Sequence, residues 1–218
     1  MLLSPGKGFV FLASTKTGST SIETAFMAHS QMILRKPPVI KHTTYAGFQR
    51  FLQPFLNSKG FPRESYEVVC VFREPIDWLS SWWRYRSREK LANPTDPKHR
   101  NYTGEVSFEE FARAYMEGSE QFAQVGRPSK FVRPRSGQAE IDRIFRYDRL
   151  DLLVDFLCEK VGENVEVGSA NTSPERSYSI SEECERELRE FFAPEYRIYE
   201  RAIGSPHPPS GLARSGRA

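Results

Sequence analysis

Lys16, Thr17, Gly18, Ser19, Thr20 and Ser21 form one unbroken run, KTGSTS. Proteins hold anions with backbone N–H groups, a helix N-terminus and a cation, and this run offers all three. Gly18 lets the backbone approach a ligand closely. Thr17, Ser19 and Thr20 add hydroxyls, Lys16 adds charge, and a helix opening at Thr20 would present free N–H groups and the positive end of its dipole. The order is not that of a Walker A loop, GxxxxGK[ST], because the lysine precedes the glycine. A capped turn beside an exposed lysine would carry the same letters. A second run, VFREPIDWLSSWW, puts Arg73 after an apolar stretch and Ser80 about two helical turns further on. A guanidinium fork and a hydroxyl at that spacing suit a phosphate lying over a sheet edge. The alternative is a local salt bridge at Arg73 and a solvated Ser80. P-loop kinases place an acidic residue for magnesium at this strand end; Arg73 stands there instead.

A group-transfer site also needs a base with a pKa near neutrality. Of the four histidines, His207 is in the tail, His99 in a polar loop and His29 on the inner face of the first helix. His42, in VIKHTTYAGF, follows a β-like PPVI segment and precedes a helix, which makes it the candidate base. The alternative is a helix neighbour with no proton role. Glu23 is the candidate carboxylate, although a capping-box spacing from Thr20 explains it without catalysis. Trp78, Trp82, Trp83 and Tyr85 either line an acceptor pocket or fill the core, with Trp78 or Trp82 expected inside. Lys130, Arg133 and Arg135, in the basic stretch 126–138, either close over a bound anion or form a solvated loop.

These residues need strands and helices to place them. GFVFLAS (8–14) and YEVVCVF (66–72) read as buried strands and IDRIFRY (141–147) as a third. Helices are expected from Thr20, over roughly 44–56 with a kink at Pro54, from Pro75 to about Arg88, from the Ser107/Glu110 capping box, over 150–161, from Ser179 or Ser181 to Phe191, and briefly from Pro194. Strands alternating with helices imply an α/β fold: three layers, P-loop-like, with a central, mainly parallel sheet. Ligands of such sheets lie beyond the carboxyl ends of the strands, so the Lys16–Thr20 and Arg73–Pro75 turns are expected to face one site. Residues 1–203 read as one domain and 204–218 as a disordered tail.

Bulk composition narrows the function. The 218 residues carry 31 basic and 28 acidic side chains, a net charge of +3. That balance gives no field for nucleic-acid binding. Cys70, Cys158 and Cys184 form no CxxC pair and no Cys/His cluster, so no structural zinc is expected. Their sparseness fits a reducing compartment. The opening MLLSPGKGFVFLAS does not read as a signal peptide, and no run approaches the roughly 18 apolar residues of a membrane span. A cytoplasmic location is expected.

A strand followed by KTGSTS, then a strand followed by Arg73, Pro75 and Ser80 or Ser81, resembles the sulfotransferases that use 3′-phosphoadenosine 5′-phosphosulfate (PAPS). The likeness is to the Golgi-type carbohydrate branch and its bacterial relatives. IFRYDRLDLLVDFLCEKVG (144–162) resembles that family's strand, Tyr-acidic-x-Leu and helix, and residues 171–200 resemble its C-terminal end. The resemblance implies that Lys16, Thr17, Gly18, Ser19 and Thr20 cradle the 5′-phosphosulfate, and that Arg73 and Ser80, rather than Ser81, hold the 3′-phosphate. It places Tyr147 near the adenine and a base in the His42 stretch. It further implies sulfuryl transfer from PAPS, without a metal, to an acceptor hydroxyl or amine such as a carbohydrate's. The family's eukaryotic members carry a membrane anchor, and none is expected here. The rival readings are a nucleotide-dependent kinase with a degenerate phosphate loop, and a non-catalytic binder of nucleotides or sulfated sugars.

Overall fold

The computed structural model describes residues 1–168 and 176–204. The expected tail beyond Gly204, and residues 171–175 of the C-terminal resemblance, lie outside these. A five-stranded sheet runs in the order β3-β1-β2-β4-β5, from β1 (Leu2–Ser4), β2 (Phe9–Leu12), β3 (Met32–Ile33), β4 (Glu67–Phe72) and β5 (Arg143–Arg146). β2 pairs parallel with β4, and β4 with β5, whereas β1 pairs antiparallel with both β2 and β3. The sheet is therefore mixed, which corrects the expectation of a mainly parallel one. The cause is β1. Leu2 and Leu3 are fully buried, but a three-residue strand cut short by Pro5 and Gly6 has too few positions to show a period.

Helices flank the sheet. Phe9, Phe11, Val69 and Val71 pack on one face against Ile22 and Phe26 of α1 (Ser19–Phe26) and Leu153 and Leu157 of α9 (Leu150–Val161). Val10, Leu12, Val68 and Cys70 pack on the other against Tyr45, Phe48, Leu56 and Val132. These come from α3 (Tyr45–Gly47), the segment Phe48–Leu52, α4 (Gln53–Ser58) and α8 (Pro128–Val132). Alternate strand residues point to opposite faces, so the unbroken apolar runs of β2 and β4 cover both sides. Between them lie the short α2 (Pro38–Lys41) and, later, α6 (Glu89–Ala92). Beyond the carboxyl ends of β2 and β4, α5 (Pro75–Arg86), α7 (Phe108–Glu117) and α10 (Glu182–Phe191) enclose a second core of Trp78, Trp83, Phe111 and Leu188; α11 (Ala193–Arg201) follows.

Local signals fared unevenly. Ser107 and Glu110 form the expected capping box. Thr20 and Glu23 do not: α1 is capped by Gly18, with no side-chain bond, and starts at Ser19. Glu23 is drawn away because it is fully buried and pairs with the Met1 amino group and Lys41 Nζ. The PPVI segment is helical in α2, not β-like; Pro38 sits in its first turn, where its missing N–H costs nothing. At Pro54 the chain stays helical, with the preceding Phe48–Leu52 turn widened to a π-helix. Such a bulge makes room for a ring that would clash with the carbonyl four residues back.

Candidate functional site

The loop from Ala13 to Gly18 leaves the carboxyl end of β2 and enters α1. Lys16 has φ 62° and Gly18 φ 67°, so two left-handed residues bracket Thr17. For lysine this is strained backbone that persists only when its surroundings enforce it, and three side chains do so. His42 Nδ1 bonds the Ala13 carbonyl at 2.7 Å, Trp78 Nε1 donates to the Thr15 carbonyl at 3.1 Å, and Arg73 Nη1 donates to the Lys16 carbonyl at 3.0 Å. A trans peptide points its C=O and the following N–H in opposite directions. Holding the carbonyls of Thr15 and Lys16 outward therefore turns the N–H groups of Lys16 and Thr17 inward. The first-turn N–H groups of α1, at Ser19 and Thr20, have no intrahelical carbonyl to bond. The loop thereby has the form of the concavities in which successive main-chain amides can hold an anion.

The hydroxyls serve the frame more than the concavity. Thr17 Oγ1 donates to the Ser14 carbonyl, and Ser14 Oγ donates to the Val71 carbonyl, which stitches β2 to β4. Thr20 Oγ1 accepts from Lys41 Nζ at 2.9 Å. Ser19 is buried. Lys16 Nζ lies 4.3 Å from the centre of the Tyr85 ring and 5.7 Å from that of Trp82. Burial, reinforced by Arg88, Arg73 and Arg84, brings its pKa down to about 7. Cationic groups thus converge on this side of the loop, with the Asp77 carboxylate shared by Arg73 and Arg84.

Arg73 follows β4 and puts Nε and Nη2 on Asp77 at 2.6 and 2.9 Å. The local salt-bridge alternative for Arg73 is thus present, and the same guanidinium also bonds the 13–18 loop. Of its five N–H donors, two remain after these contacts and the Lys16 carbonyl. Its guanidinium lies 4.3 Å over the Tyr147 ring, and a side chain on Gly18 would stand 3.5 Å from the same ring. Arg73, Gly18 and Tyr147 are therefore neighbours. Ser80 is fully buried and spends its hydroxyl proton on the Asp77 carbonyl at 2.9 Å. Ser81 is buried as well, and its spacing of four from Asp77 puts it on the face that carries Arg84.

His42 caps α2 beside Lys41. A carbonyl only accepts, so the bond to Ala13 fixes the Nδ1–H tautomer and leaves the Nε2 lone pair available. Burial, aided by Lys41 and opposed by the Ala13 carbonyl and Glu23, lowers its pKa and keeps the ring neutral at pH 7. Glu23, the alternative base, is locked in its buried ion pairs. A pocket of about 200 Å³ opens beside the loop, between Thr15, Thr17, Thr44, Arg73, Trp78 and Lys130. Of the basic stretch, Lys130 reaches this pocket, while Arg133 and Arg135 are exposed. Among the tryptophans, Trp78 and Trp83 are core, whereas Trp82 is only half-buried beneath Lys16. That reassigns the inner pair.

Sequence reasoning missed Asp77, Arg84, Arg88 and Lys41. Asp77, four residues after Arg73 on a helix, was open to a pairing argument; the others meet the site only through tertiary packing. Among the described residues no group of three or more His, Cys, Asp or Glu is placed to hold a metal ion. No helix there is long and apolar enough to cross a membrane.

No protein-family model matches the chain, and no curated protein matches it. Among solved structures it is similar to a sulfotransferase from Alicyclobacillus acidocaldarius, with 13% identity, 92% of this chain and 96% of that chain covered, and a TM-score of 0.47. The reading of the site therefore rests on its own residues.

Proposed function

We propose that this protein is a sulfotransferase that takes a sulfuryl group from PAPS and passes it to an acceptor hydroxyl or amine, a sugar hydroxyl among them. The observation that carries the reading is the loop whose Ala13, Thr15 and Lys16 carbonyls are pulled outward by His42, Trp78 and Arg73. The reading takes the inward amides as the site of a 5′-phosphosulfate, the Arg73 guanidinium as that of a separate 3′-phosphate, and the His42 imidazole as the base. In this reading the Lys16–Thr20 main chain and the α1 N-terminus hold the 5′-phosphosulfate. Arg73 holds the 3′-phosphate, with Ser80 or Ser81 beside it, and Tyr147 lies toward the adenine.

His42 Nε2 takes the acceptor's proton while the acceptor oxygen or nitrogen bonds to sulfur and the bond from sulfur to the 5′-phosphate oxygen breaks. Lys16 and the amides meet the charge that develops on that oxygen. The chemistry is an in-line displacement in which protein donors hold the leaving group, so these residues require no metal. Arg73 at the end of β4 stands against the kinase reading, because it would repel magnesium.

Calorimetry with adenosine 3′,5′-bisphosphate and with AMP tests the assignment. The bisphosphate is expected to bind more tightly by about 1.5–3 kcal/mol, the value of a charge-assisted contact, and Arg73→Ala should erase most of the difference. Equal affinities would remove the 3′-phosphate site and the proposal with it. Transfer of labelled sulfate from PAPS to a panel of alcohols, phenols and sugars then identifies the acceptor.

A further inference from the structure

Between Glu23 and Glu64 the chain has no acidic residue, yet it carries Arg35, Lys36, Lys41, Arg50, Lys59 and Arg63. Lys41 is paired with Glu23 and Arg63 with Asp142. Among the described residues the other four cations take part in no ion pair. The same segment holds Val39, Ile40, Phe51 and Phe55, four of the seven large apolar side chains exposed among the described residues. Phe51 and Phe55, at 64% and 43% exposure, stand four apart on the helical run 45–58. That run's core face is already supplied by Tyr45, Phe48 and Leu56. The two phenylalanines lie outside that core face and leave a second apolar face partly in water. Each has a cation over its ring, Arg50 at 5.1 Å and Lys59 at 5.8 Å. Scattered single apolar residues on a surface are ordinary; paired aromatics set among unpaired cations in an acid-free stretch are not.

We propose that this face, built from Phe51 and Phe55 with Arg50 and Lys59, docks on a membrane surface rich in anionic lipid. Aromatic rings entering the headgroup layer, with basic side chains reaching the phosphates, are the chemistry of interfacial helices. A second copy of the chain is disfavoured, because a two-fold contact would set the same cations against themselves. The proposal does not depend on the sulfotransferase reading. If both hold, docking brings the pocket edge at Thr44, in the same segment, toward lipid-borne acceptors.

The test is co-sedimentation of the full chain with vesicles of phosphatidylcholine alone or with about 30% phosphatidylserine. Binding is expected only to the anionic vesicles and to weaken in about 0.5 M salt. Phe51→Ser with Phe55→Ser should weaken it at least about tenfold, and so should Arg50→Glu with Lys59→Glu. Both pairs are exposed, and far-ultraviolet circular dichroism checks that the variants fold. No sedimentation, equal sedimentation with neutral vesicles, or wild-type-like binding by the phenylalanine variant overturns the proposal. So does a wild-type dimer in solution that the phenylalanine variant breaks, because the face is then an interface between copies. Equally tight binding of the wild type to soluble polyaspartate, unchanged in the phenylalanine variant, also overturns it and points to an acidic partner.

Discussion

Lys16 combines a strained left-handed backbone with an ammonium whose pKa has fallen to about 7. A bound phosphate would raise that pKa again, so binding must take up protons wherever the free lysine is neutral. The sign is fixed: affinity for adenosine 3′,5′-bisphosphate should fall as pH rises above 7, because each step up removes the proton that binding requires. Calorimetry at pH 8 in two buffers of different ionisation enthalpy should report uptake approaching about one proton per nucleotide, and Lys16→Met should abolish it. Absence of uptake would mean that Lys16 does not meet the anion. His42 obeys the opposite demand. Its pKa is lowered, so the acid limb of the turnover profile should lie below the ordinary histidine range. His42→Ala is expected to cost about 10²–10⁴-fold in kcat, well beyond the loss of calorimetric nucleotide affinity that follows from removing its bond to the Ala13 carbonyl. A variant that keeps wild-type kcat would strip the residue of its proton role.

The elements matter through what they hold still. α5 contributes Trp78, whose indole N–H fastens the loop at the Thr15 carbonyl. Trp78→Phe keeps most of the ring and loses one hydrogen bond, so thermal unfolding should drop by about 1 kcal/mol. Nucleotide affinity should fall by more than stability does, since the loop would lose a strut against its strain. Equal losses would mean that Trp78 is core and nothing else. The strand, glycine turn and helix from Phe9 to Phe26 were legible because short apolar runs and turn formers act locally. So were Arg73 and α5, where Pro75 marks the first turn. His42 was placed by its neighbours in sequence, but its partner carbonyl is 29 residues away, and Arg73 meets Lys16 across 57. No period or spacing encodes such contacts. The 44–56 pattern was read as one helix with apolar residues at helical spacing. It divides into Phe48, Leu52 and Leu56 facing the core and Phe51 and Phe55 facing out, a distinction that burial alone decides.

On the scale of the molecule, the two cores meet at the carboxyl ends of β2 and β4, and the loop lies on that seam. A ligand touching both sides should stabilise the whole. Adenosine 3′,5′-bisphosphate at a hundred times its Kd should add about 2.7 kcal/mol. That is a rise in Tm of roughly 5–11 °C for a chain of this length, and AMP at the same concentration should give much less. Identical shifts by scanning calorimetry would contradict a separate 3′-phosphate contact. The bond from His42 to Ala13 carries the argument one step further. The strut that steadies the loop is also the contact that sets the tautomer of His42, the proposed base. Loosening the loop anywhere, at Trp78 for example, should therefore displace the acid limb of turnover as well as weaken the nucleotide. If His42 is the base, a change that lengthens its bond to the Ala13 carbonyl slackens the loop and removes a contact that holds the ring's pKa up, so grip and acidity move together.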